Sequence, residues 1–125
     1  MCFTVHPKHK RAKVAKEDII CYKTFYKWHL DKKKTEVKSQ WRGFVYKLGW
    51  LYELDGYMVV RKPWNEITVG LHSYILKPEH NWADPTIVIK CIIPKGAKYY
   101  VNPEYGEYVS DQIIIGTKDD ITYYG

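Results

Sequence analysis

The sequence is poor in the residues and patterns from which recognisable sites are most often built. Its 3 cysteines, Cys2, Cys21 and Cys91, are odd in number and widely spaced, which excludes both a disulfide framework and a C-x-x-C zinc knuckle. Neither G-x-G-x-x-G nor a Walker signature occurs, so no glycine-rich loop is expected to hold a phosphate. No G-x-S-x-G elbow marks a serine nucleophile. These absences predict a chain with no complete catalytic or metal signature and no cofactor.

Long apolar runs are also missing, which argues against a transmembrane helix. The N-terminal residues, MCFTVHPKHK, lack the apolar core and the small-residue cleavage site of a secretory signal. Because nothing in the cysteine pattern calls for an oxidising environment either, the sequence predicts a cytoplasmic protein without a membrane partner.

Positive charge is concentrated at the start of the chain. The formal net charge is +6, but residues 1–40 carry eleven Lys and Arg against four Asp and Glu, whereas residues 41–125 carry nine against ten. All the basic residues of that first third are lysine except Arg11, although arginine is the residue best suited to bidentate phosphate and base recognition. The pattern favours a solvated face, or nucleic-acid binding through the Lys-rich third. Residues 1–16 are predicted to form a basic N-terminal arm that could be flexible.

The hydrophobic pattern is that of a mostly β protein. IICYKTFYKWHL (19–30) alternates, and its row of Ile20, Tyr22, Thr24, Tyr26 and Trp28 is expected to face the core. TIVIKCII (86–93) is the most hydrophobic and β-branched stretch of the chain and predicts a central strand, and YVSDQIII (108–115) predicts the last long strand. The expected fold is a single domain over 1–125 with little helix. Six to eight strands would form a compact twisted sheet or a split β-sandwich.

Aromatic residues and a few polar groups are the candidates for a ligand-binding site. The chain holds 12 Tyr and 5 Trp against 3 Phe, and these residues suit both strands and binding pockets. Trp41, Arg42 and Tyr99 could contribute to an aromatic–arginine pocket for a base and a phosphate. His72 and Ser73 are adjacent on a strand and must point to opposite faces, so they cannot act as a nucleophile–base pair. Each could offer a hydrogen bond to a ligand, or serve structure alone.

The second half of the chain resembles a group of small phage proteins. V-x-K-C-x-I-P-K-G-x-x-Y-Y runs from Val88 to Tyr100 and is followed by a Tyr-rich loop and a Ser-Asp strand, as in small proteins of phages and bacterial prophages. The likeness covers about the last sixty residues. It implies a phage accessory protein of the host cytoplasm without assigning a chemistry. Holding a host signal nucleotide or blocking a host defence factor would be a natural use for so small a phage protein.

The order of elements also resembles the ADP-ribosyltransferase fold of the arginine–serine–glutamate class. That class has an early arginine, a G-F-x-S-T-S strand, a strand that ends in P-K-G and a late E-x-E strand. Here the arginine position holds Lys23, the serine strand reads LHSY (71–74), and the late glutamates correspond to Ser110 and Gln112 around Asp111. Because Gln112 carries no negative charge and Asp111 would face away, the resemblance implies a nucleotide-shaped cleft without the transferase chemistry.

These observations lead to one main functional hypothesis and two alternatives. The main one is a non-catalytic binding protein for a small nucleotide-like or phosphorylated ligand, or for a host protein, which could act as a homo-oligomer. The alternatives are nucleic-acid binding through the Lys-rich third and an ADP-ribosyltransferase-like enzyme that uses Lys23, Ser73 and Asp111. The candidate ligand-binding residues are Lys23, Trp41, Arg42, His72, Ser73, Tyr99, Tyr108 and Asp111.

Overall fold

A computed structural model describes residues 2–39, 43–79 and 86–124 of the chain. Within these residues the protein is mostly β, as the sequence predicts, with two 3₁₀ turns at Lys27–His29 and Lys118–Asp120. The strands number thirteen rather than six to eight because seven of them have two or three residues, too few for an alternating pattern to reveal. They are β1 (Phe3–Thr4), β2 (Lys13–Val14), β3 (Ile19–Tyr26), β4 (Glu36–Lys38), β5 (Val45–Lys47), β6 (Leu51–Glu53), β7 (Glu66–Ile67), β8 (Leu71–Tyr74), β9 (Thr86–Ile93), β10 (Lys98–Asn102), β11 (Glu107–Ser110), β12 (Gln112–Ile114) and β13 (Ile121–Tyr124).

The centre of the fold is the antiparallel pair β3–β9, which is in register over eight residues, from Ile19 opposite Ile93 to Tyr26 opposite Thr86. The other side of β9 is covered by β12 and β13 in succession. The predicted central strand is therefore confirmed. Thr86, Ile87, Val88 and Ile89 are all buried, as expected for a strand covered on both faces.

The large sheet divides into two halves along its middle. Its order is β2-β10-β11-β8-β3-β9-β12-β6, with β13 also on β9, but β8 joins β3 through a single Cα pair, Tyr22 with Tyr74. The strand predicted over 108–115 crosses this division. It is broken at Asp111, so that β11 lies beside β8 in one half and β12 lies beside β9 in the other. The sheet thus opens between β3 and β8.

Two apolar cores lie against this divided sheet. The larger core packs the β4–β5 hairpin, through Val37 and Tyr46, onto β3 and β9. The smaller core is formed by Phe3, Val5, Ile67 and Val109, where the β1–β7 pair packs on β11. Each fully buried aliphatic or aromatic side chain of this kind contributes about 1.5–3 kcal/mol.

The face of β3 that meets the larger core is the opposite of the predicted one. Cys21 and Phe25 are buried, whereas Ile20 is 54% exposed. The prediction of the aromatic row as the buried face was wrong, because the β4–β5 hairpin packs on the other row of β3, to which Lys23 belongs. A lysine therefore lies on the core side of the central strand.

The N-terminal segment is part of the fold, in contrast to a detached arm. Phe3 and Val5 are buried in the smaller core, and β1 pairs with β7. Further along, β2 pairs with β10, and Ala15 N donates to Ala97 O. The basic side chains between these anchors are carried on a segment with fixed ends. Among the described residues, no helix has both the length and the apolarity needed to cross a membrane.

Candidate functional site

The division of the sheet opens into a cleft of about 420 Å³ between β3, β8 and the end of the β4–β5 hairpin. A volume of this size is sufficient for a small-molecule ligand. Its lining residues are Lys23, Thr24 and Phe25 from β3, Ser39, Phe44 and Tyr46 from the hairpin, Leu54, residues 68–74, and Glu107. The walls are thus mainly apolar and aromatic, with a few polar groups.

Lys23 is the one lysine or arginine among the described residues that line this cleft. Its Nζ donates a hydrogen bond of 2.6 Å to His72 O and lies 5.4 Å from the centre of the Tyr46 ring. Burial lowers the pKa of Lys23, while the thiols of Cys91 and Cys21 act in the opposite direction. The ammonium lies deep in the structure, although part of the residue remains open to solvent. Across the described residues, the ion pairs join His6 to Glu104 and Lys90 to Asp120, so Lys23 has no carboxylate partner there.

His72 and Ser73 reach the cleft from two different faces of β8. The register pairs His72 with Val109, which belongs to the smaller core, and Ser73 with Tyr108, which packs against the larger core. Burial and the charge of Lys23 lower the pKa of His72 to about 4, against a hydrogen bond to the backbone of Thr68. At neutral pH its ring is therefore uncharged.

Two polar atoms of these residues are buried without a hydrogen-bond partner in the part of the chain that the structure describes. They are His72 Nε2 and Ser73 Oγ. The Ser73 hydroxyl lies close enough to the Cys21 thiol to lower its pKa, but the two do not meet the geometry of a hydrogen bond. Buried polar groups in native proteins nearly always have a partner, so such orphaned atoms beside a cleft indicate a place for a ligand or for water.

A carboxylate completes the cleft. Glu107 begins β11 directly opposite Tyr74 of β8, and its side chain lines the cavity. Burial raises the pKa of Glu107, and burial together with the Glu107 charge raises the pKa of Tyr74. A carboxylate here can accept hydrogen bonds from amino or hydroxyl groups of a ligand.

Gly70 lets β8 lie close to the neighbouring strand. A Cβ at this position would overlap Val109 Cγ2 and would come within 3.5 Å of Met58. The glycine therefore permits the close approach that carries His72 and Ser73 to the division of the sheet.

The cleft brings together some of the predicted site residues and leaves others apart. Lys23, His72 and Ser73 line it. Tyr99 and Tyr108 pack with their ring centroids 5.8 Å apart against the larger core, and neither lines the cleft. Trp41 and Arg42 lie outside the described residues.

Asp111 has a structural role at the break between β11 and β12. Its Oδ1 accepts a hydrogen bond of 2.8 Å from Lys98 N, and its backbone N donates to Lys98 O. It does not line the cleft, so Lys23, Ser73 and Asp111 do not converge as the transferase alternative requires.

Sequence reasoning missed Glu107, Tyr46 and Phe44 as cleft residues. Glu107 reads as a solvated acid until β11 is paired with β8, and no local pattern shows that pairing. Tyr46 and Phe44 form an edge-to-face pair with centroids 4.8 Å apart on the hairpin, which covers the core side of β3. They could not be predicted as cleft residues because the sequence pattern indicated the opposite face of β3 as the buried one.

Metal ligation is not supported within the described ranges. No group of three or more His, Cys, Asp or Glu side chains there could hold a metal ion. His6 and His9, whose spacing suggests a pair, have their ring centroids 5.3 Å apart, and His6 contacts Glu104 at 3.7 Å.

Comparison of this chain with protein-family models, with curated proteins and with solved structures finds no match in any of the three.

Proposed function

We propose that the cleft binds a small anionic ligand with a planar ring, of the nucleotide class, and that the protein holds this ligand without transforming it. The observation that carries the proposal is the ammonium of Lys23, which is placed on the core side of the sheet without a carboxylate partner among the described residues. A partly buried cation that makes no ion pair is costly unless an anion accompanies it. An anionic ligand would supply that partner.

The rest of the cleft matches the other parts of such a ligand. Phe44, Tyr46 and Tyr74 offer aromatic surface on which a base can stack. Glu107 can accept hydrogen bonds from an exocyclic amine or from ribose hydroxyls. The unpartnered His72 Nε2 and Ser73 Oγ would gain a partner when the ligand enters.

We propose binding without catalysis because of how the polar groups of the cleft are arranged. Its acid, base and hydroxyl are not arranged as a nucleophile hydrogen-bonded to a base, because Ser73 Oγ has no such bond and His72 lies on the other face of β8. The resemblance to phage proteins makes host signalling nucleotides the first ligands to test.

Calorimetry against nucleoside mono- and diphosphates, cyclic mono- and dinucleotides, NAD and ADP-ribose tests the proposal. We expect at least one of them to bind, and Lys23→Ala to weaken that binding by about tenfold or more, as for loss of a charge-assisted hydrogen bond. Lys95→Ala is the matched control, since it removes the same charge from the exposed turn before Gly96. Silence across the panel would overturn the proposal, as would equal weakening by the two variants.

A search for chemistry on the bound ligand completes the test. NAD or the best ligand, incubated with the protein and followed by chromatography, is expected to remain intact. Release of nicotinamide or transfer of label to a host protein would instead support the transferase alternative.

A further inference from the structure

A second, open groove lies apart from the cleft and shares no lining residue with it. It has a volume of about 470 Å³ and lies between the start of the β4–β5 hairpin, the turn after β5 and the 3₁₀ turn at Lys118–Asp120. Lys34, Lys47 and Lys118 line it together with Trp50, and Glu36 is the one acidic residue among the described residues that line it. The groove therefore combines a surplus of positive charge with an exposed aromatic ring.

The groove is built on a tight turn that is tied down on both sides. Trp50 N donates to Lys47 O within the turn, and Gly49 has the left-handed φ of +83° that favours glycine. Leu48 N donates to Thr35 O at one wall, and Gly49 N donates to Ile115 O near the other. These backbone hydrogen bonds hold Lys47 and Trp50 between the turn before β4, which carries Lys34, and the 3₁₀ turn that carries Lys118.

Two exposed aromatic rings in this region each have a lysine ammonium over the ring face. Lys47 Nζ lies 4.3 Å from the centre of the Trp50 ring, and Lys34 Nζ lies 5.2 Å from the centre of the Tyr123 ring. Trp50 is 55% exposed and Tyr123 is 42% exposed. For the residues whose structure is described, no ion pair involves Lys34, Lys47 or Lys118. Their charge is available to an external anion.

We infer that this groove binds single-stranded nucleic acid, with the three lysines contacting successive phosphates and Trp50 stacking on a base. Exposed aromatic rings beside lysines are the arrangement by which proteins hold single strands irrespective of sequence. A duplex keeps its bases stacked inside and cannot use Trp50 in this way. Nucleic acid would then bind at this groove and not along the Lys-rich first third as a whole. Of the three groove lysines, only Lys34 belongs to that third.

Fluorescence anisotropy of labelled oligo-dT and oligo-U, titrated at several salt concentrations, tests the inference. We expect binding at low salt, with log affinity falling against log salt with a slope of about −2, as for release of counterions from three phosphates of a single strand. Trp50→Ala is expected to weaken binding on the order of tenfold, as for loss of one stacked base.

Two sets of variants separate the groove from net charge. The triple variant Lys34→Ala, Lys47→Ala, Lys118→Ala should lose binding by tenfold or more. The control triple variant Lys10→Ala, Lys16→Ala, Lys95→Ala removes the same charge from exposed positions outside the groove and should change it less than about threefold. Lys23→Ala should have no effect, so failure of the cleft proposal and failure of this one are distinguishable.

Three results would overturn the inference. They are no binding at low salt, equal losses in the two triple variants, and a duplex or poly-glutamate that binds as well as the single strand with no dependence on Trp50. The last result would mean that the groove binds polyanions in general, acidic proteins included, by charge alone.

Discussion

Lys23 Nζ donates a hydrogen bond of 2.6 Å to the backbone carbonyl of His72, and this bond spans the division of the large sheet between β3 and β8. The two strands otherwise share a single Cα pair there. The lysine thus links the two halves of the sheet at the point where the cleft opens. It does so at a cost, because burial disfavours its charged form.

We expect Lys23→Met to be no less stable than the wild-type chain at neutral pH. Methionine fills a similar volume and removes the desolvated ammonium, which offsets the lost hydrogen bond. The folded-state pKa of Lys23 is lowered from 10.5, so wild-type stability rises as pH increases between the folded pKa and 10.5, and the advantage of the variant shrinks there.

Denaturant unfolding of both proteins at neutral and alkaline pH measures this difference. Lys95→Met is the control, and it should match the wild type at both pH values. A loss of more than about 1 kcal/mol for Lys23→Met at neutral pH would show that the ammonium stabilises the fold, and the argument for a missing anionic partner would fail.

Ser73 and Ser110 form a matched pair for testing the orphaned hydroxyl. Both are buried, but Ser110 Oγ donates to Gln112 O at 2.9 Å whereas Ser73 Oγ has no partner among the described residues. Ser110→Ala should therefore cost about 1 kcal/mol of unfolding free energy, while Ser73→Ala should be neutral or stabilising. Chemical unfolding of the two variants measures this. Equal destabilisation would mean that Ser73 has a structural hydrogen bond and is not reserved for a ligand.

His72 should make stability fall in acid. Its pKa is about 4 in the folded chain against 6.5 when unfolded, so the unfolded state binds a proton that the folded state rejects. The contribution of neutral His72 to the unfolding free energy is fully present above pH 6.5. It is lost as pH falls towards about 4, and its magnitude is on the order of 3 kcal/mol.

His72→Gln removes this titration, so its unfolding free energy should depend less steeply on pH between about 4 and 6.5. His9→Gln, at a ring on the surface, should leave most of the wild-type slope in place. A slope that is unchanged in His72→Gln would assign the acid sensitivity to other groups.

The parts of the fold that sequence could predict are those with a local signal. The central strand over 86–93 is indicated by six β-branched residues out of eight, and its predicted bounds agree with the structure. The break at Asp111 has no such local signal, because YVSDQIII is apolar enough to be predicted as one continuous strand. Its break depends on where β8 and β9 lie on either side of it.

The candidate site was predictable only in part for the same reason. Lys23, His72 and Ser73 are polar groups within apolar strands, and that local contrast singled out the last two, while the family resemblance singled out Lys23. Glu107 and Tyr46 carry no such contrast, since an acid after a loop and a tyrosine in a strand are both ordinary. They join the cleft through strand pairing and hairpin packing between segments distant in sequence.

The three cysteines should differ sharply in reactivity. Cys2 is exposed, whereas Cys21 and Cys91 are buried and face each other as Cα partners across β3 and β9. Burial raises the pKa of Cys21 to about 11, against contributions from Ser73 and Lys23, and burial together with Cys21 raises the pKa of Cys91 to about 12. Because the thiolate is the reactive form, both buried thiols should be inert in the folded chain.

Titration with a disulfide reagent near pH 8 should therefore label one thiol rapidly, and Cys2→Ser should abolish that rapid phase. All three cysteines should react in denaturant. In the native protein the two buried thiols should react together, because as Cα partners they share the core face of the β3–β9 pair and become accessible when the packing on that face opens. A rapid second phase in native Cys2→Ser would mean that the core face of β3 is accessible, and the description of Lys23 as a core-side residue would then have to be abandoned.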